Sequence, residues 1–169
     1  MKQQITLHPS KDLFTKTKEI PINQITGDTY RQIGSSMLEI LKNKGGIGLS
    51  ANQVGLPFKM CVMELTSSDP KIILNPRITK SSKKMIKSRE GCLSLPGADV
   101  VVSRHFSITT EYEDVRGETQ VLDSKGLEAT CLQHEIDHLN GILMINRVGE
   151  FHKNKALKQV HKYKRVKRR

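Results

Sequence analysis

His134-Glu135-Ile136-Asp137-His138 sets two imidazoles and a carboxylate where a divalent metal can use them. On a helix, residues four apart lie one above the other, so His134 and His138 would project from one face. Glu135 sits beside that face, within reach of a metal-activated water without having to ligate the metal. This spacing is that of hydrolytic metal helices in which the glutamate serves as general base. A helix surface that happens to carry two histidines is the plainer explanation, and the surrounding residues weigh against it.

The helix itself is predicted by periodicity. Leu127, Cys131, His134 and His138 fall at i, i+4, i+7 and i+11, while Leu132, Ile136 and Leu139 widen the apolar sector. Gly141 follows Asn140 where a helix stop is expected. A catalytic site of this kind needs a third protein ligand and one open position. Cys131 is a candidate on the same helical face. Cys92 is another, in the glycine- and proline-bracketed Arg89–Gly97 segment, which reads as a loop or strand end. Distant carboxylates are a third kind. A helical i, i+3, i+7 trio spreads along the axis, which leans toward Cys92, but spacing leaves the choice open.

Three segments together resemble the signature motifs of the peptide deformylases, in the usual order and spacing. They are Gly46-Ile47-Gly48-Leu49-Ser50-Ala51-Asn52-Gln53, Glu90-Gly91-Cys92-Leu93-Ser94 and Gln133-His134-Glu135-Ile136-Asp137-His138-Leu139. The likeness runs from the N-terminus to about residue 145. It implies removal of the formyl group from the N-terminal methionine of newly made polypeptides. It also implies Cys92, His134 and His138 as ligands of one divalent ion, with Fe²⁺ expected as the native metal and Zn²⁺, Ni²⁺ or Co²⁺ as alternatives.

By the same resemblance Glu135 takes a proton from a metal-acidified water, whose pKa falls toward about 7 in well-studied zinc sites, and passes it to the leaving amine. The side-chain amide of Gln53 and the backbone N–H of Leu93 would receive the charge that develops on the formyl oxygen. Ile47, Gly48, Glu90 and Cys131 are the expected substrate contacts. Backbone around Ile47 and Gly48 would pair with the peptide as an added strand, and Cys131 would line the methionine pocket. Asp137 and Arg104 would form a supporting pair behind the ligands.

Taken singly, these residues have plainer explanations. Gly45, Gly46 and Gly48 could be a helix stop and turn after a predicted helix from Thr29 to Asn43, capped by Asp28. They do not form a phosphate loop, because no Gly-Lys-Ser/Thr follows. Cys131 alone would be a small buried apolar residue. One departure from the family pattern stands out. A basic residue is usual three positions beyond the proline of the second motif, and here Pro96 is followed by Gly97-Ala98-Asp99, with no basic residue until Arg104. That change bears on substrate affinity and preference rather than on the reaction.

Length and composition bound the alternatives. A chain of 169 residues suits one domain with a modest core. Three cysteines without paired spacing argue against a disulfide framework and for a reducing compartment. No apolar run approaches the ~20 residues of a membrane span, and the N-terminus lacks a signal-peptide core. A cytoplasmic location is expected, with an organelle as the alternative.

Lys59–Leu65, Lys71–Leu74 and Val100–Ser103 read as strands, the second ending at Asn75-Pro76. Phe106, Ile108, Thr110 and Tyr112 alternate, and Asp114–Gly117 can turn into a further strand through Val121. The pattern predicts an α+β fold, mainly antiparallel sheets around a central metal-binding helix. Residues 1–148 would form the catalytic domain and 149–169 a basic C-terminal helix or tail.

The net charge of +11 is concentrated at that end, since residues 151–169 hold nine of the 28 lysines and arginines and no acid. A solvated tail explains this, and so does contact with ribosomal RNA beside emerging chains. Trimming residues 151–169 is expected to spare catalysis on small peptides. Two rival classes share some of these features. A zinc endopeptidase would use the same helix but usually takes a histidine or glutamate as third ligand. A nucleic-acid module with a structural metal would close the site with a fourth protein ligand.

Overall fold

Alternating residues and a helical stripe build the two halves of this molecule, and one helix is enclosed between them. The computed structural model describes residues 4–25, 28–65 and 69–167. Helix α1, Thr29–Lys44, turns Tyr30, Met37, Ile40 and Leu41 inward and stops at Gly45, whose φ is 65°. Asp28 occupies the position before it but makes no capping hydrogen bond; its carboxylate faces Arg31 at 3.4 Å instead. The expected cap is therefore replaced by an exposed ion pair.

Seven strands follow. They are β1 (Gly48–Ser50), β2 (Met60–Met63), β3 (Lys71–Ser81), β4 (Met85–Gly91), β5 (Asp99–His105), β6 (Ser107–Glu113) and β7 (Thr119–Lys125). Five make one antiparallel sheet in the order β1-β2-β3-β6-β7, and β4 pairs with β5 in a separate antiparallel ribbon. The alternating β6–β7 hairpin forms as expected. Strand β3 differs, for it runs straight through Asn75-Pro76. A register shift between Leu74 and Arg77 absorbs the proline, which has no N–H to give the ladder. Asn75 adopts φ 48° and uses its side-chain amide to bond both the N–H and the carbonyl of Ile20. Strand β4 escaped the sequence reading because Lys87-Ser88-Arg89 shows no apolar alternation.

Helix α2, Leu127–Leu139, contacts β1, β2, β5 and β7 and is buried at every residue from Ala129 to Leu139. Its apolar side packs Leu132, Ile136 and Leu139 against Cys61, Met63, Ile73 and Ile108 of the large sheet. The fold is thus α+β, antiparallel sheet around a central helix. Among the described residues no helix is long and apolar enough to cross a membrane.

Helix α3, Glu150–Lys167, is docked along much of its length. Ala156 and Val160 are buried with Leu13, Leu95, Val100 and Leu143, so α3 closes a core that the rest of the chain leaves open. Residues 150–167 therefore do not fray as a tail; Arg168 and Arg169 lie outside the described residues. Trimming from residue 151 would expose this core and should destabilise the protein, a cost to set beside the expectation that catalysis on small peptides is spared. Replacing Val160 by Ala should cost about 2 kcal/mol and lower the thermal midpoint by about 4–8 °C. Val166→Ala, on the exposed side of the same helix, should leave the midpoint nearly unchanged; calorimetry on both variants checks this.

Candidate active site

Burial of α2 brings His134 and His138 to the inner side of the molecule, one turn apart, with ring centroids 4.9 Å from each other. Cys92 is the first residue beyond the β4 ladder, which ends at Gly91 paired with Asp99. The ribbon thereby carries the thiol to α2, where Cys92 Sγ lies 3.1 Å from His138 Nε2. One ligating atom from each of Cys92, His134 and His138 falls within 4.8 Å of the others, the one such cluster among the described residues. Cys131 stays apart, its thiol against the Ile47 carbonyl at 3.6 Å. Burial, and then the nearby Glu135 carboxylate, push the Cys131 pKa well above the ordinary value, so this sulfur stays a neutral thiol.

The His134 ring is oriented from behind. Arg104, itself buried, bonds both Glu90 oxygens, at 2.8 and 3.0 Å, and reaches Asp137 at 2.5 Å. Burial alone would raise the Glu90 pKa, but hydrogen bonds from Arg104 and His134 outweigh it and hold the carboxyl below its ordinary value. Glu90 is then an acceptor only. His134 Nδ1, 2.9 Å from it, must carry the proton, leaving Nε2 as the free lone pair. Glu90, expected as a substrate contact, thus has both oxygens occupied in holding Arg104 and His134. Arg147 adds a second guanidinium to Asp137, bonding both of its oxygens. Nothing in the sequence marked Arg147, because it lies in a short 3-10 turn with no motif.

This donor set fits a cation. Burial opposes charge on His134, yet hydrogen bonds to Cys92 and Glu90 outweigh it and push the His134 pKa well above the ordinary histidine value. His138 shifts the other way, held well below the ordinary value by burial and then by the neighbouring His134 and Arg104, so it stays neutral with a lone pair to give. A thiol and two imidazoles are donors that suit Fe²⁺, Zn²⁺, Ni²⁺ or Co²⁺. Glu135 stands beside the cluster, and burial raises its pKa to about 7. Its Oε2 has no hydrogen-bond partner among the described residues.

The Ala51–Val54 turn sets the remaining groups. Gln53 Oε1 accepts from the Ser50 backbone N–H at 2.9 Å, which can only donate, so the amide orientation is determined. Gln53 Nε2 then faces Ser94 Oγ at 3.1 Å and Cys92 Sγ at 3.6 Å. Asn52 donates to the His138 carbonyl at 2.6 Å and ties this turn to α2. The Leu93 N–H has no partner among the described residues. Gly48 closes over Glu135: a Cβ there would stand 2.5 Å from Glu135 Oε1 and 2.7 Å from Cys131 Sγ.

All of this opens on a cavity of about 800 Å³ lined by Ile47, Gly48, Cys92, Cys131, Glu135 and Tyr163 among others. Strand β1 is an edge of the sheet. The Ile47 carbonyl is already taken by the Glu64 N–H at 3.0 Å. Alternation therefore leaves the N–H and carbonyl of Gly48 facing the free edge. Asp99, in the place where a basic residue was expected, pairs with Arg89 at 2.7 Å on the surface.

The family model of the polypeptide deformylases matches residues 2–154. The chain belongs to this family. A peptide deformylase of Rhizobium meliloti is 38% identical over 146 residues, 84% of this chain and 83% of that protein. The crystal structure of a peptide deformylase from Legionella pneumophila superposes with a TM-score of 0.91 at 30% identity, covering 98% of this chain and 97% of the other. A Synechococcus elongatus peptide deformylase, solved in complex with actinonin, gives 0.86 at 33% identity over 92% of this chain and 85% of the other.

Among deformylases of this build, the Arg104 network should be a stability element as well as a support. Arg104→Met strips the buried Glu90 carboxylate of its guanidinium, leaving it the His134 ring alone, and should cost about 3–5 kcal/mol in urea unfolding. Arg89→Met, which breaks the exposed pair with Asp99, should barely move the same transition.

Proposed function

We infer that this chain is a metal-dependent hydrolase that removes the N-formyl group from the N-terminal formyl-methionine of newly synthesised polypeptides, releasing formate. The observation that carries this reading is the convergence of Cys92, His134 and His138 beside Glu135 in a cleft edged by β1. Cys92, His134 and His138 would hold the ion, and Fe²⁺ is the ion we assign, with Zn²⁺, Ni²⁺ or Co²⁺ able to take the same donors. A divalent cation there supplies Lewis acidity, acidifying water and polarising the formyl carbonyl.

The chain's own groups do the rest. Glu135 Oε2 accepts the proton of the attacking water, and a pKa raised by burial suits it to return that proton to the methionine nitrogen as the bond breaks. The Gln53 amide N–H and the Leu93 backbone N–H are the donors for the formyl oxygen as it becomes negative. The Gln53 amide is held in place by the Ser50 N–H and by Ser94, and the N–H that faces Cys92 Sγ across 3.6 Å is the one that would turn to the formyl oxygen. The peptide runs beside β1, pairing with the Gly48 backbone, while the Ile47 side chain and Cys131 bound the methionine pocket. Glu90 and Asp137 act from behind, with Arg104, by fixing the His134 ring and the position of α2.

We further assign residues 1–148 to catalysis and 149–169 to a basic helix whose outward face suits ribosomal RNA. The reaction belongs where chains begin with formyl-methionine, in a bacterial cytoplasm or an organelle. An endopeptidase reading is less well supported, since the third ligand proposed here is a cysteine.

Anaerobically metal-loaded protein should release formate from a short formyl-methionyl peptide, and chelation should abolish this. Glu135→Gln should keep its metal and lose turnover. Formate release that survives in Glu135→Gln, or cleavage of internal peptide bonds in place of formate release, would overturn the reading. Gly48→Ala should reduce kcat by about 10²-fold or more, because the added methyl displaces Glu135 from its place; steady-state kinetics read this directly.

A further inference from the structure

Helix α3 does more than cover a core, because it also supplies part of the cleft. Tyr163 lines the same cavity as Cys92, His134 and Glu135. Its side chain packs directly on Gly97, where a Cβ would stand 2.9 Å from Tyr163 Cβ and 3.0 Å from Cδ2. Gly97 also has φ 78°, so the backbone turn and the close approach require glycine together. Tyr163 nevertheless remains 40% exposed. Its contact with Gly97 thus leaves part of the side chain available at the cavity.

The turn of α3 that carries this ring is fixed from several directions. Val160 and Ala156, three and seven residues earlier on the same face, are buried in the core beneath. Lys164, the next residue, donates from Nζ to the His8 carbonyl and ties this turn to the N-terminal segment. Lys167 Nζ lies 6.0 Å from the ring centroid. A tyrosine held this way offers a broad aromatic face and a phenol at little entropic cost, as in other peptide-binding surfaces.

A peptide laid beside β1 with its formyl group at Glu135 uses the Gly46–Gly48 side of the cavity for its first residue. Each further residue advances about 3.3 Å, and Pro96, Gly97, Ala98 and Tyr163 are among the groups of the same cavity open to the later ones. We propose that Tyr163 is a substrate-binding residue that packs on the third and later residues of the peptide. This rests on the deformylase reading above. It makes the C-terminal helix a determinant of how longer chains are bound.

The test compares formyl-methionyl-alanine with a formyl-methionyl tetrapeptide on metal-loaded parent, Tyr163→Ala, Tyr163→Phe and Tyr163→Leu. Tyr163→Ala should raise KM for the tetrapeptide by about three- to tenfold, the worth of one aromatic contact, with KM for the dipeptide nearly unchanged. Its kcat should stay within about twofold for both peptides, and Tyr163→Phe should retain most of the tetrapeptide affinity. Equal effects on the two lengths, or none on either, would overturn the proposal. If Tyr163→Ala unfolds, Tyr163→Leu, which keeps the apolar contact on Gly97, decides: parental KM values on both lengths overturn it, and a selective tetrapeptide loss supports it. Failure of the parent to release formate from either peptide would instead remove the deformylase reading, and this inference with it.

Discussion

Burying a helix that carries six polar or charged side chains is the constraint around which this molecule is arranged. Thr130, Gln133, His134, Glu135, Asp137 and His138 are all nine-tenths or more buried on α2. An unpaired charge in such a place is expensive, so the charged and amide groups draw partners from other elements. Gln133 bonds the N–H and the carbonyl of His105 at the end of β5. Asp137 takes Arg104 and Arg147, and His134 takes Glu90. Of these six side chains, Thr130, Glu135 and His138 keep an atom without a partner among the described residues. Thr130 and Glu135 line the cavity and His138 is one of the three clustered donors, where an unmet hydrogen bond is a resource for chemistry.

The two sheets make sense as the means of delivering those partners. Ribbon β4–β5 carries Glu90 and Arg104 on adjacent strands and presents Cys92 just past its end. The large sheet lays its β1 edge over Glu135, close enough that only glycine fits at residue 48. The Ala51–Val54 turn links the two by holding Gln53 against Ser94 and Cys92 and by bonding the His138 carbonyl through Asn52. Gln53, Glu135 and the free β1 edge are thus placed by separate elements, and α2 is the body against which each is positioned.

The sequence was most legible where local pattern and chemistry coincide. The α2 stripe, the alternating β6–β7 hairpin and the three motifs could be read because each needs residue types at short spacing. Longer-range consequences could not. Arg147 reaches Asp137 only because a 3-10 turn folds back beneath α2, and nothing nearby in sequence announces it. Glu90 sat in a motif that suggested contact with substrate, whereas the ribbon turns its carboxylate toward Arg104 and His134. Asn75-Pro76 looked like a strand end, yet a register shift and two side-chain bonds to Ile20 let β3 continue. The basic composition of residues 151–169 read as a helix or tail, and the helix is what forms; its docking through Ala156 and Val160, two small apolar residues, was hidden among the charges.

Burial of α2 against ribbon β4–β5 brings one sulfur and two imidazoles together as the candidate ligands of a single ion. X-ray absorption spectroscopy on the anaerobically iron-loaded full-length protein tests this most directly. One sulfur and two imidazole ligands around the metal, with the sulfur lost in Cys92→Ser and kept in Cys131→Ser, is the result expected. A shell without sulfur, or one whose sulfur disappears with Cys131 rather than Cys92, would contradict it.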